Sequence, residues 1–280
     1  MNKTQFDKAG LVRRFGEPLP FDAPAYQTPE QGGGWFSSRL PSLGFYPRMI
    51  KVVIHAGRLA KRGLYSGGEF VKSSLDTMRG LEACGVKLQL SNLAVVPRLE
   101  TPAVFVSNHM STMETYILPS LIQYYRDVTF VIKDSLLRYP YFGDILRARN
   151  PIVVGRKDAR ADLQAVLDGG CARLAAGTSI VVFPQGSRYS GWDPAKFNSI
   201  GVKLARRAKV PLVPVALRSD AWGNSRYFLK DFGKIRPELR TFFKFGEPME
   251  VKGNGKEEHA AVLKFIGDNL KGWGVECRNA

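Results

Sequence analysis

From residue 87 onward, short apolar runs of strand length alternate with segments of helical periodicity, and this alternation constrains the chain more than any other feature. The runs at 87–90, 103–106, 128–132, 152–154, 179–183 and 211–217 read as strands, with helices at 112–125, 160–176 and 200–208 between them. A further strand at 241–245 and a closing helix at 256–271 complete the pattern. Strands separated by helices return to one sheet in the same direction, so the expected class is α/β. The expected architecture is a largely parallel mixed sheet flanked by helices.

Upstream, residues 16–47 hold six of the 17 prolines together with Gly32, Gly33 and Gly34, a composition that suits an irregular arm. The arm also carries Tyr26, Trp35, Phe36, Leu40, Leu43, Phe45 and Tyr46, so it is expected to pack on the protein body or on lipid. Residues 48–64 read as an amphipathic helix. At 100° per residue Met49, Val52, Val53, Ala56, Leu59, Ala60 and Leu64 share one face, while Lys51, His55, Arg58 and Arg62 gather on the other. A second helix spans 69–84 and stops at Gly85. Three units result: an arm over 1–47, an amphipathic helical pair over 48–86 that is a candidate membrane-docking element, and an α/β body over 87–280. That helix either meets lipid or docks on the sheet; both readings stay open.

Lysine and arginine number 41 against 25 acidic residues, a net charge of +16 that calls for an anionic partner. Nucleic acid, a membrane surface and phosphorylated or thioester substrates all qualify. No run reaches the roughly 18 to 20 apolar residues that a spanning helix needs, and residues 1–14 lack the apolar core of a secretory signal. Cys84, Cys171 and Cys277 are far apart, which fits neither a zinc site nor a disulfide framework and suits a reducing compartment.

Of three histidines, His55 and His259 lie on polar helix faces and read as solvated. His109 instead follows the apolar run 103–106 through Ser107 and Asn108, at the strand end where α/β proteins bind ligands. Glu114 comes five residues later. On a continuous helix that offset leaves the two about 140° apart, whereas a turn over 110–112 would fold the carboxylate onto the imidazole. A carboxylate on one ring nitrogen leaves the other as a general base. A second constellation, Phe183-Pro184-Gln185-Gly186-Ser187-Arg188, also follows an apolar strand. There glycine admits close approach to the backbone, the neighbouring amides suit an oxyanion, and arginine suits a phosphate. Arg156 with Lys157, and Lys133, place cations at two further strand ends.

In order and spacing these segments resemble the glycerolipid acyltransferase family, which includes the 1-acylglycerol-3-phosphate acyltransferases. Asn108-His109-Met110-Ser111-Thr112-Met113-Glu114 is similar to the NHxxxxD block, 151–156 to the second block ending in arginine, 183–188 to FPEGTR, and 210–215 to VPIVPV. Lys133 followed by Tyr139-Pro140-Tyr141-Phe142-Gly143, and the stretch 196–201, continue the likeness. The resemblance implies transfer of an acyl chain from acyl-CoA or acyl-carrier protein to the hydroxyl of a lysophospholipid at an anionic membrane surface. No metal or redox cofactor is needed for that chemistry. His109 would be the base and Glu114 its orienting carboxylate, with an oxyanion donor near Gly186. Lys133, Arg156, Gln185, Gly186, Ser187 and Arg188 would line the substrate site, the cations holding the acceptor's phosphate.

Two departures stand out. Glu114 replaces aspartate and adds a methylene. Gln185 replaces the glutamate that helps bind the acceptor in the family, which leaves acceptor identity open. Glycerol 3-phosphate, another lysophospholipid or an amino-acid lipid are the alternatives within the family. From another class, a basic nucleic-acid-binding protein competes, although no helix-turn-helix, zinc or RNP-type pattern is present, so no nucleic-acid partner is expected.

Overall fold

The structure, a computed structural model, describes residues 22–30, 39–225 and 231–277. The expectations for 1–14, and for Gly32, Gly33, Gly34, Trp35 and Phe36 of the arm, lie outside the described residues. In chain order the elements are β1 (Tyr26–Gln27), α1 (Pro41–Lys61), α2 (Gly67–Ala83), β2 (Leu88–Ser91), β3 (Val104–Ser107), α3 (Met113–Gln123) and β4 (Val128–Lys133). There follow α4 (Phe142–Ala148), β5 (Ile152–Val154), α5 (Ala159–Ala175), β6 (Ser179–Val182), α6 (Ile200–Ala208), β7 (Leu212–Arg218), β8 (Thr241–Phe245) and α7 (Lys256–Gly272). Single helical turns at Val95–Arg98, Asp134–Arg138 and Pro194–Lys196 join some of them.

All eight strands form one sheet in the order β1-β2-β8-β7-β3-β6-β4-β5. The block from β7 through β3, β6 and β4 to β5 is parallel throughout, as is β2 with β8, while β1 with β2 and β7 with β8 run antiparallel. Helices cover the central strands, so β3 and β6 are buried along their whole length. That double burial is why they stand in the sequence as unbroken apolar runs rather than alternating ones. Pro214 interrupts the central strand β7 at no cost to the ladder: Gly246 N–H donates to its carbonyl at 2.8 Å, and β8 ends at Phe245, where the missing proline donor would have been needed.

The packing beneath the site is close. A Cβ at Gly201 on α6 would come within 2.4 Å of a Val106 methyl on β3, so α6 can lie against the strand that carries His109 only with glycine there.

α1 differs from expectation in its start. It begins at Pro41, ahead of the expected Arg48, so the boundary drawn at residue 47 falls inside a helix, with Pro41 in its first turn and Pro47 within it. The helix forms there because Phe45 and Met49 are buried in the common core, and tertiary burial overrides the poor helix propensity of proline. Of the two readings left open for the apolar face, most of it takes the inward one: Met49 and Ala56 are buried and Val53, Leu59 and Ala60 pack against the core, while Leu64 is 52% exposed. The outward side carries a different stripe, with Leu43 64% and Ile50 42% exposed; seven residues bring them back to nearly the same face. α2 follows the expected range closely, its N-cap Ser66 accepting from Glu69 N at 3.3 Å.

Candidate active site

β3 ends by handing three polar residues to the C-terminal edge of the sheet. The buried Asn108 amide donates to Leu217 O at 2.7 Å and accepts from Leu217 N at 3.0 Å, locking the end of β3 onto β7. His109 follows, and its Nδ1 lies 2.8 Å from Glu114 Oε1. The two meet because 110–112 form a turn and α3 starts only at Met113, so the 140° separation of a continuous helix does not arise. The same turn accommodates the extra methylene of glutamate by aiming Met110 N and Ser111 N at Oε1, at 2.6 and 2.8 Å.

Glu114 is 0% exposed and its other oxygen is also engaged, by Ser111 Oγ at 3.1 Å and by the Ser219 hydroxyl. Burial on its own would push this carboxyl up. The hydrogen bond and charge of His109, the Ser219 hydroxyl and the Ser111 amide outweigh it and hold the carboxyl below its ordinary value. An ionised carboxylate at Nδ1 keeps the proton on that nitrogen and leaves Nε2 as the basic one. The His109 side chain is 16% exposed, and Nε2 meets no protein partner among the described residues. The ring stacks on Phe183, with centroids 4.5 Å apart and planes at 21°.

The loop after β6 holds the backbone of His109 on both sides. Gln185 Oε1 accepts from His109 N at 2.7 Å, and Tyr189 N donates to His109 O at 2.9 Å. The Gln185 side-chain oxygen is thus committed to the histidine backbone, while its amide nitrogen meets no partner among the described residues. Within the loop Gly186 has φ +70°, and Ser187 N donates to Gln185 O at 2.8 Å across it. The Gly186 amide has no acceptor among the described residues, and Gly186 and Ser187 are exposed. This amide is therefore open to an incoming oxygen.

The expected cations are spread along the same edge. Lys133, at the end of β4, is exposed and pairs by backbone with Val154. Arg156 takes φ +57° beyond β5, a conformation supported by Asp162, whose two carboxylate oxygens accept from Gly155 N at 2.9 Å and Arg156 N at 2.8 Å. Its guanidinium donates to Gly186 O, joining the second block to the third. Arg188 turns toward α3, pairing with Asp231 Oδ1 at 2.7 Å and with the Thr112 hydroxyl. Ser111, Thr112, Ser219 and Asp231 are members of the site that the motifs did not single out. Ser111 and Thr112 occupy the unspecified spacer between His109 and Glu114, and Ser219 directly follows an apolar strand, which is a usable signal; Asp231 has none.

Residues 87–218 match the family described as Acyltransferase. A 1-acyl-sn-glycerol-3-phosphate acyltransferase of Pseudomonas aeruginosa is 28% identical over 171 residues, covering 61% of this chain and 62% of the relative. A chloroplastic 1-acyl-sn-glycerol-3-phosphate acyltransferase of Brassica napus is 30% identical over 132 residues, 47% of this chain and 37% of its own. The chain thus spans less than two thirds of the length of these curated relatives. Among solved structures, the 1-acyl-sn-glycerophosphate (LPA) acyltransferase PlsC from Thermotoga maritima superposes with a TM-score of 0.65 at 19% identity. The superposition covers 87% of this chain and 99% of that one, a likeness of fold. With the sheet order, the His109–Glu114 pair and the loop at 183–188 in place, residues 87–218 match the Acyltransferase family, and the chain is similar over that stretch to 1-acyl-sn-glycerol-3-phosphate acyltransferases.

Proposed function

We propose that this protein is an O-acyltransferase that moves a fatty acyl chain from a thioester, acyl-CoA or acyl-carrier protein, to the free hydroxyl of a lysophospholipid in phospholipid synthesis. The acceptor favoured is 1-acylglycerol-3-phosphate, the class named for the relatives. One observation carries the reading: a buried, ionised Glu114 fixes Nδ1 of a histidine whose Nε2 has no partner among the described residues. In the reaction Nε2 takes the hydroxyl proton as the oxygen attacks the thioester carbonyl. The Gly186 amide receives the oxyanion, the C–S bond breaks, and His109 returns its proton to the leaving thiolate. Glu114 stabilises the imidazolium between the two transfers, a contribution of the order of 10²- to 10⁴-fold for general acid–base catalysis. Lys133, Arg156 and Arg188 hold the phosphate, and the scheme uses neither metal nor redox cofactor.

The place of work is the cytoplasmic face of a membrane, with α1 as a peripheral contact. No helix among the described residues is long and apolar enough to cross a bilayer. The outward Leu43 and Ile50, flanked on α1 by exposed Lys51, Arg58 and Lys61, combine apolar area with positive charge, as interfacial helices do.

The test is transfer by the purified protein from acyl-CoA and acyl-carrier protein to a panel of 1-acylglycerol-3-phosphate, glycerol 3-phosphate, other lysophospholipids and amino-acid lipids, with products identified by mass spectrometry. Diacylglycerol phosphate should dominate. Inactivity toward every lysolipid would overturn the reading, and undiminished transfer by His109→Ala would remove the dyad from it. For the membrane arm, Leu43→Asp with Ile50→Asp should lower co-sedimentation with phosphatidylglycerol vesicles, and unchanged binding would count against α1.

A further inference from the structure

Arg188 is held before any substrate arrives. Its NH1 donates to Asp231 Oδ1 at 2.7 Å and to the Thr112 hydroxyl, and that hydroxyl donates to the same carboxylate oxygen at 2.8 Å. These bonds use both hydrogens of NH1, and neither Nε nor NH2 is bonded among the described residues. The guanidinium is 22% exposed and Asp231 36%, so the pair sits at the mouth of the site rather than in free solvent.

Asp231 lies outside the matched domain at 87–218, yet its backbone is fixed. Its carbonyl accepts from Trp222 Nε1 at 2.8 Å, and Trp222 is fully buried, edge-on to Phe45 of α1 at 4.7 Å and stacked on Tyr116 of α3 at 5.6 Å. The next residue, Phe232, stacks on Tyr46 at 4.9 Å, and Tyr46 donates to Gly233 O. At Gly233 the chain presses so closely on Gly223 that a Cβ would overlap its carbonyl. A carboxylate anchored to such a wall sets where the guanidinium can be.

We propose that Asp231, with Thr112, is a positioning residue for the acceptor: it pins NH1 so that the Nε–NH2 edge of Arg188 is presented to the acceptor's phosphate. The inference rests on the acyl-transfer reading above and deepens it. Bidentate phosphate binding needs a planar fork of two adjacent N–H groups, and holding the third nitrogen removes rotamers that a free arginine would have to give up on binding. The opposite possibility is that the carboxylate merely competes with the phosphate, and the two differ in sign.

Steady-state kinetics on the full chain should be measured for Asp231→Ala, Asp231→Asn, Thr112→Val, Arg188→Ala and the double variant Arg188→Ala/Asp231→Ala. Binding of glycerol 3-phosphate by calorimetry is measured alongside. Positioning predicts that Asp231→Ala raises the acceptor KM and the glycerol 3-phosphate Kd roughly tenfold, with kcat and donor KM within about twofold. Asp231→Asn, which keeps an acceptor oxygen, should rescue most of the loss, and Thr112→Val should fall between. The double variant should be no worse than Arg188→Ala, because the two residues act as one unit. Lower acceptor KM in both Asp231 variants, an unchanged KM, or additive losses would each overturn the proposal. Should Asp231→Ala fail to fold, Asp231→Asn and Thr112→Val still decide the sign. If the wild type transfers to no lysolipid but the Kd pattern holds, the acyl-transfer reading fails and the positioning role stands. Normal transfer with a flat Kd series sinks the positioning role alone.

Discussion

Two buried glutamates sit at opposite ends of this fold's repertoire. Glu82 on α2 accepts from Tyr26 Oη at 2.6 Å and Thr28 Oγ1 at 2.8 Å, and pairs with Arg79 at 2.9 Å. Arg79 also donates to Tyr26 Oη at 2.8 Å and Thr28 Oγ1 accepts from Leu88 N at 2.9 Å, so the partners bond to one another or to the β2 backbone and fasten the β1 segment to α2. Burial, followed by the hydrogen bond to Glu82, pushes the Tyr26 hydroxyl up, away from any proton exchange near neutrality. Glu114 is as well supplied with donors, but one of them is an imidazole with a second nitrogen left over. Burial and satisfied oxygens are common to both carboxylates. What separates a structural cluster from a reactive one is whether the chain of donors ends in a group that can still take a proton.

The sharpest way to break this comparison is activity. His109→Ala and Glu114→Gln should each lower kcat by about 10²- to 10⁴-fold, whereas Glu82→Gln should leave kcat within about twofold; a large kcat loss in Glu82→Gln would erase the distinction. Stability should reverse the contrast into a likeness. Glu82→Ala strands Arg79 and two hydroxyls and Glu114→Ala strands two amides, so each should cost about 3 kcal/mol in urea unfolding.

The acid limb is smaller and belongs to Glu114. Its folded pKa lies below the ordinary 4.5, so its contribution is complete above that value and is lost as pH falls through the lower folded value. The stability difference between wild type and Glu114→Gln should therefore be constant from neutrality to about pH 5 and shrink below pH 4.5. A difference that widens on acidification would mean a carboxyl raised by burial. Least in size, Gln185→Leu should remove one hydrogen bond to His109 N–H, costing about 1 kcal/mol, with kcat falling roughly tenfold as the imidazole loosens. Rescue by Gln185→Glu, which restores an acceptor, would fit a backbone anchor, and an acceptor-KM effect alone would not.

Much of this architecture was legible in the chain. β5, β8 and α6 fall on their expected residues, and β3 and β6 within one, the last two because strands buried on both faces cannot hide polar residues. The beginning of α1 was not, since Pro41 and Pro47 punctuate the sequence like a loop and only the burial of Phe45 and Met49 reveals the helix. α4 was likewise not legible, since Pro140 and Gly143 punctuate the sequence where it begins. In the site, the His109–Glu114 pair was within reach of a spacing argument because both lie on one strand-to-helix turn. Ser219 and Asp231 stand 105 and 119 positions from the partners they serve on that turn, Glu114 and Thr112. The anchoring bond of Gln185 was hidden for a different reason: its partner is a backbone amide, which leaves no mark on residue identity.

That amide has a further use. His109 N–H cannot exchange with solvent deuterium until the Gln185 side chain releases it. A single resonance thus reports how often the loop at 183–189 opens, and comparing its exchange with and without acyl donor would time the loop's motion directly, with no probe attached to the protein.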